Sequence, residues 1–332
     1  ECLVGSEMCI RDRVYVNNIM VLRSNAHPDT TQQYIFEDAG TESNGTPIRY
    51  SFSKLNGGSL QPIVRSFVTS AQKIVAVGNL TQYVCNEYAS SYVDSKQRIS
   101  SVASAFRMDD CGVLDSTYRL VDRTGRYSGA GGGNITDACM DKDDGVVLVG
   151  SFTSFDGVPA PGMVRLDADG NVDHAFLENL GTGPDGNVTM VRYNKALNKM
   201  MVVGGFEHVN GQPRQQMAML NPDGTLDGTF VPREIGGGAV NFAQLIDKEK
   251  VIVSGTFSTY GGVPRLGFLI LEMDGTAQQK FNVPGTFNGQ LYHVAETETT
   301  LGSYGLLLMG SFDRFNGQKA NNVLMLEVNL EH

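Results

Sequence analysis

Residues 200–230 read MMVVGGFEHVNGQPRQQMAMLNPDGTLDGTF, and the punctuation of that stretch decides the fold. An apolar run, Met200 to Val203, ends in Gly204-Gly205-Phe206. Three residues later comes Asn210-Gly211, then a second apolar run, Met217-Ala218-Met219-Leu220. Asn221-Pro222-Asp223-Gly224 follows, and an aromatic, Phe230, stands six residues past that glycine. Asn-Gly between short apolar runs is a strong hairpin signal, because a type I′ turn needs positive φ at both central residues. Asn-Pro-Asp-Gly spells a type I turn whose last glycine enters a bulge.

The same punctuation recurs along the chain. Gly150-Ser151-Phe152 precedes Asp156-Gly157, Gly255-Thr256-Phe257 precedes Gly261-Gly262, and Gly310-Ser311-Phe312 precedes Asn316-Gly317. The four phenylalanines lie 54, 51 and 55 residues apart. The second landmark returns as Asp169-Gly170 with Phe176 and as Asp274-Gly275 with Phe281. Weaker copies lie upstream, from Gly78-Asn79-Leu80 to Cys111-Gly112 and Tyr118, and around Asn44-Gly45 and Gly58. A further strand opens each clear unit after a Gly-rich loop: Ile135 to Met140, Val188 to Tyr193, Val240 to Ile246 and Leu291 to Ala295. No stretch carries a helical period across several turns.

Four short antiparallel strands in a repeat of roughly 40–50 residues are the pattern of a β-propeller blade. The predicted fold is all-β: a β-propeller of about six four-stranded blades over residues 14–332, incomplete at its N-terminus. One unit cannot bury its apolar face alone, so the phenylalanine of each Gly-x-Phe is expected to pack between blades. The glycine before it is expected to allow a close approach. A parallel β-solenoid is the alternative, though its coils are typically much shorter. Residues 1–13 form a separate lead. Glu7-Met8-Cys9-Ile10-Arg11-Asp12-Arg13 reads as a translated sequencing adapter, which would make Cys2 and Cys9 non-native.

A net charge of −10 and the lack of clustered Lys and Arg argue against nucleic acid, whose phosphates need cationic clusters. No apolar run approaches the length of a membrane-spanning helix. Cys139 falls in an apolar strand and reads as a small core residue. Cys85 and Cys111 bracket an insertion, and a disulfide between them is one expectation.

The motif Asp167-x-Asp169-Gly170-x-x-Asp173 has the carboxylate spacing of a calcium loop. Its sisters weaken that reading: Asn221-x-Asp223-Gly224-x-x-Asp227, Asp109-Asp110-Cys111-Gly112-x-x-Asp115 and Glu272-x-Asp274-Gly275-x-x-Gln278. They keep most regularly the residue that the turn itself requires. The five histidines are scattered without metal-ligand spacing. Neither a Gly-x-Ser-x-Gly elbow nor a phosphate loop is present, and Gly129 to Gly133 leads into a strand rather than a helix. The sequence thus carries no catalytic residue, metal ligand or cofactor site to nominate.

Two regions suit a ligand. The Gly-rich loops before the first strands should converge on one channel rim, where Arg123, Arg126, Tyr127, Asn134, Asp185, Asn187 and Asn241 offer hydrogen bonds and one stacking ring. The insertion Tyr83 to Ile99 adds Tyr83, Tyr88 and Tyr92, side chains suited to sugar stacking or a protein contact. Solvated connectors and a blade-edge elaboration are the plainer readings of the same segments.

The units Leu148 to Phe176 and Val203 to Phe230, with Gly255 to Phe281 close behind, resemble the delta-60 repeat (DUF5122-type). That repeat is the β-propeller unit of a domain of unknown function in bacterial secreted and surface proteins. The resemblance covers roughly residues 60–330 and implies relatives among Bacteroidota surface lipoproteins near polysaccharide-uptake systems. It implies an extracellular or outer-surface location and a binding role, and carries over no functional residue. The leading expectation is a non-catalytic surface propeller that binds or scaffolds, with a polysaccharide or a surface protein as partner. A glycoside hydrolase or lyase at the channel mouth, and an adhesive protein-interaction module, are the alternatives.

Overall fold

The computed structural model describes residues 2–4, 16–35, 48–86, 97–121, 124–279, 287–299 and 302–327. The chain divides into two compact units. One holds Glu1–Ile135, Thr153–Pro159 and Leu166–Val172; the other holds Thr136–Phe152, Ala160–Arg165 and Asp173–His332.

The repeat is plainest in the second unit. Val188–Asn194, Lys199–Gly204 and Met217–Leu220 form an antiparallel sheet in that order. Met201, Val203, Met217 and Met219 join a buried cluster with Phe242, Val251 and Val253 of the following repeat. Their neighbours Met200, Val202, Ala218 and Leu220 join a different cluster, with Val147, Val149 and Met163 of the preceding repeat. Successive strand residues point to opposite faces, so this sheet is buried on both faces, one against each neighbour. Burying each such side chain is worth about 1.5–3 kcal/mol. A lone repeat would forfeit that burial on both faces, which is why the units come in series.

Equivalent sheets are built by Val240–Ile246, Lys250–Gly255 and Phe268–Glu272, and by Phe287–Glu298, Tyr304–Phe315 and Val323–Glu327. Ile135–Met140, Val146–Gly150 and Met163–Leu166 make another. Phe206 sits in the core shared with the preceding repeat, Phe257 and Phe312 in that shared along the later ones, as expected of Gly-x-Phe. The glycine does permit a close approach. A Cβ on Gly204 would lie 2.1 Å from the Asn187 carbonyl oxygen.

The first strands are also tied sideways by polar contacts that the sequence reading missed. Thr136 Oγ1 donates to the Val188 carbonyl (2.9 Å), and the Val191 N–H donates to Asp137 Oδ2 (3.1 Å). Asn194 Nδ2 donates to the Leu245 carbonyl (3.1 Å), and Gln244 Nε2 to that of Val294 (2.8 Å). Partners are 50 to 54 residues apart, one repeat length.

The first unit holds the sheet of Arg65–Val68, Ile74–Val77 and Ala105–Met108. It also holds three two-stranded ladders: Cys2–Val4 with Ile19–Val21, Thr30–Ile35 with Ile48–Ser53, and Gln82–Asn86 with Gln97–Ser101. The Asn44-Gly45 turn and Phe281 lie outside the described residues.

The hairpin turns take the predicted form. Asp156-Gly157, Asn210-Gly211, Gly261-Gly262 and Asn316-Gly317 have φ pairs of 50° and 78°, 49° and 72°, 56° and 75°, and 49° and 74°. Both residues are left-handed, as type I′ demands. Each turn closes a ribbon of two residues per side set between the second and third strands, such as Ser154–Phe155 with Val158–Pro159. Two of these ribbons pair with the preceding Gly-rich loop, at Ala130–Gly131 and at Ile235–Gly236.

Two expectations need correction. The fourth strand is reduced to a single bridge: Met108 with Leu114, Leu166 with Val172, Leu220 with Leu226 and Leu271 with Ala277. The tight turn leaves too few residues for a longer ladder before the chain departs. Secondly, a short helix, His174–Leu180, follows one of these bridges. Asp173 caps it by accepting from the Phe176 N–H (3.1 Å), Gly181 (φ 64°) ends it, and Phe176 and Leu180 share its buried face. Among the described residues no helix is long and apolar enough to cross a membrane.

Candidate functional site

In the second unit, the loop residue Asp185 is exposed but firmly held. Its Oδ1 accepts the backbone N–H groups of Glu207 (2.8 Å) and His208 (3.0 Å), and its Oδ2 lies 2.8 Å from His208 Nδ1. The backbone N–H of His208 and then its ring bring the Asp185 carboxyl down to about 2. Asn187 is exposed, and its carbonyl oxygen accepts from the Gly205 N–H (2.9 Å). Asn241 occupies a β-bulge between Val240 and Phe242 and accepts from Ser254 Oγ (3.3 Å). A bulge re-aims the strand locally, which separates Asn241 from the loop residues in role.

In the first unit, Arg126 and Tyr127 come together on one acceptor. Arg126 Nη2 (2.6 Å) and the Tyr127 hydroxyl (3.1 Å) both donate to Asn171 Oδ1. The Arg126 guanidinium also lies 5.1 Å from the Tyr127 ring centre. Tyr127 is mostly buried, so its ring is a packing surface more than a platform. Asn134 is exposed.

Tyr83 is a correction. It is only 2% exposed, packs edge-on against Phe106 at 5.1 Å, and donates its hydroxyl to the Gly112 carbonyl. Burial drives its phenol well above the ordinary range. A residue so enclosed belongs to the core and presents no face to a ligand. Arg123, Tyr88 and Tyr92 lie outside the described residues. The disulfide expectation also fails, because Cys85 is a free buried thiol and Cys111 a free exposed one. Cys139 is buried as read, and burial pushes its thiol up.

The calcium-like acids have internal employment. Asp167 Oδ1 accepts the backbone N–H groups of Asp169 (2.9 Å) and Asn171 (2.8 Å), folding the turn. The last acid of each motif meets a cation of its own repeat. Asp115 pairs with Lys73 (2.6 Å) and Arg107 (3.0 Å), Asp173 with Arg165 (2.7 Å), and Asp227 with Lys199 (2.7 Å). Desolvation would raise the Asp115 carboxyl, but hydrogen bonds from Lys73, Thr117 and Arg107 outweigh it and hold it far below the carboxylate range. Lys199 at the start of the second strand and Asp227 past the turn were the available signal for one such pair. Among the described residues, one acidic group is tight enough for an ion, Asp109 with Asp110 and Cys111. Its Asp110 is already paired with Lys54 (2.9 Å).

Residues 142–176, 198–230 and 250–277 match the family model of a domain of unknown function, the DUF5122 beta-propeller. The chain is a DUF5122-type β-propeller repeat protein. The first two matched segments run from the turn between first and second strands to the aromatic after the Asp-Gly turn. The third runs from Lys250, the start of its second strand, to Ala277 just past that turn; each carries both turn signals. No curated protein matches the chain. The unmatched copies include the one with the long insertion after Tyr83 and the last one, whose strands are longer. In the last, Phe287–Glu298 and Tyr304–Phe315 extend to 12 residues each.

Proposed function

We propose that this DUF5122-type propeller is a non-catalytic binding module of an extracellular or outer-surface protein, with a glycan as its ligand. One observation carries the reading. The carboxylates that the motif repeats, and that a glycosidase would need as a free acid and base, are engaged in ion pairs and turn hydrogen bonds within their own repeats. What the repeats offer to solvent is a set of hydrogen-bonding side chains on stiffly tied turns, which suits recognition of a polar ligand without chemistry. An array of microbial and host polysaccharides, read for both retention and release of reducing ends, tests it. Retention without release supports the proposal. Release of reducing ends points to the hydrolase alternative, and retention of a surface protein but no glycan points to the adhesive one.

A further inference from the structure

We infer that the cleft between the 142–176 and 198–230 repeats binds a neutral, polyhydroxylated ligand, a short oligosaccharide; this rests on the binding reading above. The cleft lies wholly within the second compact unit. Its volume is about 580 Å³, within the ~300–1,000 Å³ of small-molecule sites. Leu197, Asn198 and Lys199 follow the strand Val188–Asn194, whereas Asp185 and Asn187 precede it. The cleft therefore occupies the end of that strand opposite the loops foreseen as a site.

Its polar groups are pre-set. Arg165 is clamped between Asp141 Oδ2 and Asp173 Oδ2, each 2.7 Å away. Lys199 Nζ is held by Asn221 Oδ1 (2.6 Å) and Asp227 Oδ2 (2.7 Å). Asn198 Oδ1 accepts from the Tyr193 hydroxyl (2.7 Å), which fixes the amide and leaves its N–H donors for a ligand. Side chains held this way lose little freedom on binding. The side chains of Lys142 and Asp143, both exposed on the cleft wall, make no hydrogen bond or ion pair among the described residues, while the Asp143 backbone N–H donates to Asp141 Oδ1 (2.9 Å).

The charge pattern selects the ligand class. Lys142, Arg165 and Lys199 are balanced on the lining by Asp143, Asp173 and Asp223. A polyanion would meet the acids and a cation the bases. The acids are also too dispersed to appear among the groups able to hold an ion. Interspersed donors and acceptors match hydroxyls, which both donate and accept. Leu197 and Pro222 add apolar surface for the C–H faces of a sugar ring.

The test uses the full chain with cellohexaose, mannohexaose, xylohexaose and polygalacturonate as probes, by calorimetry and by hydrogen exchange. Expected is binding of a neutral hexaose that varies less than about twofold with added salt, with exchange protection at 142–143, 197–199 and 221–223. Asp143→Ala and Asn198→Ala, checked for an unchanged thermal midpoint, should each weaken it about tenfold. Unaltered affinity in these variants, with loss in Asp185→Ala or Asn187→Ala, overturns the cleft and leaves the binding reading standing. Salt-sensitive preference for polygalacturonate overturns the neutral-ligand assignment. Binding of none of the four probes sinks both.

Discussion

Replacing Arg119 with Met should unfold the first unit far more readily than any surface change. The side chain is fully buried. Its Nη1 and Nη2 each donate to a carboxylate oxygen of Asp156 at 2.9 Å, its Nε to the Ala103 carbonyl at 2.7 Å, and Nη1 again to the Gly170 carbonyl at 2.9 Å. The rings of Tyr127 and Phe155 lie 4.8 Å from the guanidinium carbon. Asp156 is also the first residue of its type I′ turn, and its Oδ1 accepts the N–H groups of Ser128 (2.8 Å) and Gly129 (2.7 Å). Loss of the cation leaves a nearly buried carboxylate facing backbone donors alone. Breaking a buried pair from one side costs about 3–5 kcal/mol, and the lost ring contacts act in the same direction. For a unit of this size that is a fall of roughly 10 °C in melting temperature. The chain has 12 Tyr and no Trp, so tyrosine fluorescence in urea reads unfolding without a tryptophan background, and Tyr118 and Tyr127 beside the site contribute to it. Asp156→Asn should be costly too, and the double variant should recover about 1 kcal/mol or more relative to the sum. A loss under about 1 kcal/mol, the level of an exposed ion pair, would refute the argument.

Gly204→Ala should prevent folding of its repeat, since the new Cβ would stand 2.1 Å from a backbone oxygen, whereas Gly211→Ala, with open space around it but φ 72°, should cost only about 1 kcal/mol; equal soluble yields would contradict this. Asp185 sits at about 2 against an ordinary 3.8, so its contribution is present above pH about 4 and lost as pH falls toward 2. Exchange protection at the Glu207 and His208 amides should fade over that window, and Asp185→Asn should abolish the pH dependence. In a Cys2→Ser/Cys9→Ser chain, a thiol reagent should modify Cys111 first and Cys85 and Cys139 only on unfolding. Three thiols should be titrated in denaturant without reductant, and a count of one would restore the Cys85–Cys111 bridge.

The repeat was legible because its turns need residues few other structures need. Asn210-Gly211 and its sisters announce positive φ, and the apolar runs on either side have strand length. The short fourth strand was not legible, since Leu226 and Val172 look the same in a long ladder as in one bridge. The helix had its signs in Asp173, Gly181 and the spacing of Phe176 and Leu180, but two turns are too brief to outweigh a β context. Tyr83 was misplaced because polar neighbours downstream hid the run Tyr83-Val84-Cys85, which is buried throughout, with Phe106 of another strand packed against Tyr83. Asp185, Asn187 and Asn134 stand exposed in their loops. His208, the partner of Asp185, and Asn171, the partner of Arg126 and Tyr127, came from other segments, beyond the reach of local pattern. The cleft was unreadable for the same reason: no single repeat contains it.

The two-faced burial of Met200 to Val203 has a consequence for how such chains diverge. Even-numbered positions there answer to the preceding repeat and odd-numbered ones to the following repeat. Drift in this strand should therefore be bookkept by parity: a change at Met201 calls for compensation downstream, one at Met200 for compensation upstream. Unbranched methionines at these posts loosen the constraint by refilling gaps of altered shape, so consecutive modules can age at different rates without parting.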